Sequence, residues 1–137
     1  MTDNKNSQLL KITLVIFAIV AIVYGLGYFF FPGFLVKLSG GEPIFSGWLR
    51  WSGGTLIALG IGALMTFRNP KNQGILVTTL ALGTLFAGLA LLYAWITVEE
   101  GSNVWFTALP TILVLLISAL LWWCQYKAKD ILKSDQK

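Results

Sequence analysis

The chain has 137 residues, of which 56% are hydrophobic and 12% charged, with a formal net charge of +4 and a mean hydropathy of +0.75. A soluble domain carries about 25% charged residues, so an ordinary soluble fold is excluded, and the basic residues sit in pairs around apolar blocks, which explains them as topology signals and excludes a nucleic-acid surface. One cysteine, Cys124, and the absence of histidine remove an internal disulfide, His-ligated haem, His-based metal sites and imidazole bases together.

Residues 1–11 form a short polar start with Lys5 and Lys11. The apolar stretch that follows, Ile12 to Phe31, is longer than the roughly 7–15 residues of a signal-peptide core, and it ends in bulky aromatics where a cleaved leader needs small residues. It is therefore read as a retained first span of about 30 Å, closed by Pro32 and Gly33. Phe34 to Arg50 is too polar and too broken by Gly40, Gly41 and Pro43 to cross. A short amphipathic turn at Phe34 to Leu38 and a chain reversal at Gly40 and Gly41 are expected there.

The second span is Trp51 to Phe67, ended by the polar turn Arg68-Asn69-Pro70-Lys71-Asn72. The third runs from Ile75 to Val98, long enough to require tilt, and Glu99 to Asn103 connect it to the fourth, Val104 to Tyr126. A lysine-bearing tail, 127–137, follows. Pro110 inside the fourth span cannot donate to the carbonyl of Phe106, so a bend or a covering neighbour is expected. The fold class is all-α: a polytopic bundle of four transmembrane helices over residues 12–126.

Lysine and arginine set the orientation. Lys5, Lys11, Arg68, Lys71, Lys127, Lys129, Lys133 and Lys137 fall on one side, and only Lys37 and Arg50 on the other, beside Glu42, Glu99 and Glu100. The positive side is cytoplasmic, so both termini are expected inside. Trp48, Trp51, Trp95 and Trp105 then lie at the outer interface, and Trp122, Trp123 and Tyr126 at the inner one.

Helices in lipid associate through close packing at small residues. Gly54, Ala58 and Gly62 recur every four residues along the second span, with Gly53 and Gly60 a heptad apart close by; Thr79, Gly83 and Ala87 form a similar row on the third. These rows are expected to carry internal packing, with a seam between identical chains as the alternative.

No Asp, Glu, Lys, Arg or His lies inside any span, which argues against a proton-coupled transporter, an ion pump or a voltage sensor. No catalytic, cofactor or metal site is expected. Tyr24 and Tyr28, four residues apart, and Tyr93 are candidates for lining a shared outward-facing pocket or for wetting their hydroxyls at the interface. Arg50, at the start of the second span, is a candidate contact for Glu42, Glu99, Glu100 or a lipid phosphate, or for an anionic substrate.

Three stretches resemble small four-helix bacterial membrane proteins of the domain of unknown function 4345 family and, more loosely, the DoxX-like proteins. They are Tyr28-Phe29-Phe30-Phe31-Pro32, Leu49-Arg50-Trp51-Ser52-Gly53-Gly54, and Leu59-Gly60-Ile61-Gly62-Ala63 with the Arg68-Asn69-Pro70 turn. The resemblance covers roughly residues 12 to 98. It implies the fold and a bacterial inner membrane, and it implies no activity. The functional expectation is a non-enzymatic accessory or structural subunit whose partners are membrane lipids and other membrane subunits or itself. A channel or carrier for a small neutral or lipidic molecule is the alternative, and a membrane enzyme the third.

Overall fold

The computed structural model describes residues 2–41, 47–97 and 103–133. These residues form four long helices, α1 (Thr2–Phe30), α3 (Gly47–Arg68), α4 (Gly74–Ile96) and α5 (Val104–Lys127), and two short ones, α2 (Pro32–Leu38) and α6 (Lys129–Leu132). Three of them, α1, α4 and α5, are long and apolar enough to cross a membrane, which marks the chain as an integral membrane protein.

Local sequence explains the breaks. Pro32 disfavours helical geometry at Phe31 and serves as the first residue of α2, where its missing N–H costs nothing. Gly40 ends α2 in the left-handed region, φ 89°, and the N–H of Gly41 returns to the carbonyl of Val36 at 3.0 Å, closing the helix as a Schellman motif. The amphipathic turn and reversal expected at Phe34 to Gly41 thus form one short capped helix. The tight turn between α3 and α4 has Asn72 at φ 62°, a conformation Asn tolerates better than most residues.

Most helices extend past the predicted spans. α1 starts at Thr2, so the stretch read as a polar tail continues the helix, and α3 begins at Gly47, four residues before the predicted span. α4 and α5 match within two residues, and α5 continues through Pro110. Beyond it the chain folds back: Ala128 and Leu132 are buried, and the carbonyl of Leu132 packs against the Cα of Gly74 at the start of α4.

The long helices pack as two pairs, α1 on α3 and α4 on α5, joined chiefly by α1 against α5. Each pair is antiparallel, since Gly25 meets Gly53 while Ala18 meets Gly60, and Thr78 meets Gln125 while Ala81 meets Ser118. The shared core lies at one end. It comprises Leu10, Leu14, Phe17, Ala18 and Ala21 from α1, Ala63 from α3, Val77, Leu80 and Ala81 from α4, and Ile117, Leu121 and Cys124 from α5, with Ala128 and Leu132. Towards the other end the N–H of Asn103, at the start of α5, donates to the Ser39 carbonyl that follows α2, at 2.9 Å.

Candidate functional site

The residues expected to gather a ligand lie on three helices, α1, α3 and α4. Tyr24 and Tyr28 lie side by side on α1, ring centroids 6.1 Å apart and tilted by 59°, both half-buried, whereas Tyr93 on α4 is 71% exposed. Arg50 is exposed at the first turn of α3. Its expected partners Glu42, Glu99 and Glu100 lie outside the described residues. None of these four candidates lines either of the two cavities described below.

The internal seams use different glycines from the expected row. A Cβ at Gly53 would stand 2.7 Å from the Gly25 carbonyl oxygen and 2.7 Å from the Phe29 amide nitrogen, and one at Gly25 would stand 2.9 Å from the Gly53 carbonyl. These are backbone-to-backbone contacts that no side chain could share. Gly60 has the Ile22 side chain and the Ala18 carbonyl of α1 against it, and Gly88 of α4 the Leu115 side chain of α5. By contrast a Cβ at Gly54 would only touch the Phe29 ring at 4.0 Å, one at Gly62 the Leu76 methyl at 3.9 Å, and one at Gly83 nothing within 4 Å; Ala58 and Ala87 are exposed. The expected internal packing is thus corrected at Ala58, Gly83 and Ala87, while Gly54 and Gly62 are half-buried in ordinary contact with one neighbouring side chain each. At about 100° per residue Gly54 already stands roughly 100° around the helix from Gly53 and each step of four adds about 40°, while the heptad step from Gly53 to Gly60 drifts only about 20° and stays against α1.

Hydroxyls mostly serve their own helix. Thr13, Thr55, Thr66, Thr79 and Thr111 each donate to the carbonyl four residues back, at 2.7–3.1 Å. Among the described residues three side-chain polar contacts cross between helices: Ser118 donates to the Ala81 carbonyl at 3.2 Å, Thr13 Oγ1 lies 3.3 Å from Cys124 Sγ, and Gln125 Nε2 donates to Thr78 Oγ1. The last fixes the amide orientation. Thr78 spends its own proton on the Gly74 carbonyl at 2.8 Å, so it can only accept from Gln125, whose Oε1 is left buried without a partner.

A cavity of about 670 Å³ opens beside that pair, at the end where α4 starts and α5 and α6 finish. Ile75, Trp122 and Leu132 give it an apolar wall, and Asn72, Thr78 and Gln125 a polar one. Lys129 and Lys133 stand at it with Tyr126, and the Lys129 ammonium sits 4.6 Å from the centre of the Tyr126 ring, within cation–π range. Gly74 and Ile75, at the start of α4, also border it, with the Leu132 carbonyl packed against Gly74. The sequence lists these residues only as tail lysines and interface aromatics. Their meeting depends on α6 folding back, for which the apolar Ala128, Ile131 and Leu132 among the lysines are the available signal.

A smaller cavity, about 320 Å³, lies on the outside of α1, bordered by Gln8, Lys11, Val15 and Phe67. Lys11 is 6.0 Å from the Phe67 ring centre. Comparison with protein-family models, with curated proteins and with solved structures finds no match to this chain.

Proposed function

We propose that the chain is a four-span, non-enzymatic protein of a bacterial cytoplasmic membrane, with both termini inside, that serves as an accessory or structural subunit of a membrane complex or of a homo-oligomer. α3 supplies the fourth span. Its 22 residues reach about 33 Å, and it runs antiparallel along α1, so a membrane crossed by one is crossed by the other. Glycine, serine and tryptophan in its first half lower its hydropathy, its two arginines, Arg50 and Arg68, stand in its first and last turns, and Trp51, Ile61 and Met65 face outward, as a lipid-facing side requires.

The observation that carries the subunit reading is the row Gly54, Ala58 and Gly62, small residues on a lipid-length helix with room around them, where Ala58 is exposed and the two glycines have only one loose neighbour each. Small residues let a second backbone approach closely in lipid, where apolar side chains gain little from leaving one hydrocarbon for another. Gly83 and Ala87 give α4 a comparable open face.

Cysteine cross-linking tests this directly in native membranes. In a chain carrying Cys124→Ser, a cysteine placed at Ala58 should give a discrete cross-linked product, with itself or with one partner, and a cysteine at Thr79 should not be needed for it. A chain that stays uncross-linked at Ala58 and runs as a monomer in every mild detergent would overturn the subunit reading.

A further inference from the structure

We propose that the cavity between the start of α4 and α6 is a binding site for an anionic glycerophospholipid of the leaflet facing the termini, a phosphatidylglycerol-type lipid whose phosphate lies between Lys129 and Lys133. The inference needs the chain to lie in a membrane and is independent of whether it is a subunit.

Charge selects the phosphate. Lys129 and Lys133 border one opening, and among the described residues that border it there is no carboxylate. The Lys129 ammonium lies over the Tyr126 ring, 4.6 Å from its centre, which favours its standing at the opening. Asn72 adds an amide donor at the rim.

The rest of the cavity selects a lipid over a free ion. Ile75 is 86% exposed and Trp122 39% exposed, and together they continue the cavity wall into the apolar outer surface of α4 and α5, where an acyl chain can lie. Tryptophan and tyrosine flanking lysines at the end of a span mark headgroup depth. Basic pockets between spans at that depth are a recurrent form of anionic lipid recognition.

The test is lipid retention measured by native mass spectrometry on the full chain in mild detergent, titrated separately with phosphatidylglycerol and phosphatidylcholine. One phosphatidylglycerol per chain should be retained at low lipid excess, with phosphatidylcholine at least about tenfold weaker, and with no displacement by millimolar inorganic phosphate. At about 1 kcal/mol for each cation near a lipid surface, Lys129→Gln/Lys133→Gln should weaken retention by about 10- to 30-fold. Lys129→Arg/Lys133→Arg should keep it, and Lys5→Gln/Lys11→Gln, which removes the same charge at the same end, should keep it too. Equal loss in both glutamine double variants, equal retention of the two lipids, or displacement by inorganic phosphate would each overturn the proposal.

Discussion

Gly53 and Gly54 are neighbours on one helix, yet the physics of adding a methyl group to each differs in sign. At Gly53 the methyl meets the α1 backbone at 2.7 Å, and backbone cannot step aside as a side chain can. Gly53→Ala should therefore cost about 1–3 kcal/mol, the range for overfilled contacts, read as a lower thermal midpoint in detergent. Gly54→Ala should be neutral or stabilising by up to about 1 kcal/mol, because alanine is the better helix former and there is room for it. A lower midpoint for Gly54→Ala with an unchanged Gly53→Ala would show that α1 and α3 meet on another face. The Thr78–Gln125 pair gives a second residue-scale expectation. Thr78→Val leaves both ends of the buried amide unpaired and should cost about 1 kcal/mol, and adding Gln125→Leu should recover part of the loss, because it removes the stranded polar group. Cys124 is fully buried, so its thiol should resist maleimide in the folded chain and react on denaturation. Both the buried cysteine and the hydroxyls bonded to their own helices follow from residue type. The choice between adjacent glycines does not, because it depends on where α1 lies.

At the scale of elements, the long helices are readable from hydropathy and length, since a spanning helix satisfies its own backbone and needs no distant partner to be recognised. The break at Phe31-Pro32, the reversal at Gly40 and the turn at Asn72 are readable as well, because proline geometry and left-handed backbone act locally. What hydropathy could not show was α6. Its single turn is bracketed by lysines and reads as tail, and only tertiary contact with Gly74 buries Leu132. Leu132→Ala should accordingly cost about 2 kcal/mol, near the low end for a buried leucine because the site lies at the edge of the core. Limited proteolysis should then cut after Lys129 sooner than in the parent chain. Unchanged stability and unchanged cleavage would mean that α6 does not dock.

For the whole molecule, eight basic residues against two predict that a reporter active only in the cytoplasm, fused after Lys137, gives signal. Its silence, with activity from an exported reporter at the same place, would invert the orientation. The candidate site was less legible than the fold. Arg50, Tyr24, Tyr28 and Tyr93 stand out in a sequence because polar groups are rare in apolar surroundings, whereas Lys129 and Lys133, which border the larger cavity described, carry no local sign of it. The position of the core also bears on how the chain assembles as it is made. Each antiparallel pair consists of long helices consecutive in the chain, so α1 can close on α3 through Gly25, Gly53 and Gly60 before α4 exists. The layer that unites the pairs cannot form then, because it waits for Ile117, Leu121, Cys124, Ala128 and Leu132. A ribosome that stalls after α4 would leave a finished hairpin beside an apolar helix with nothing to meet, the kind of half-made product that membrane quality control must distinguish from a nascent chain still being extended.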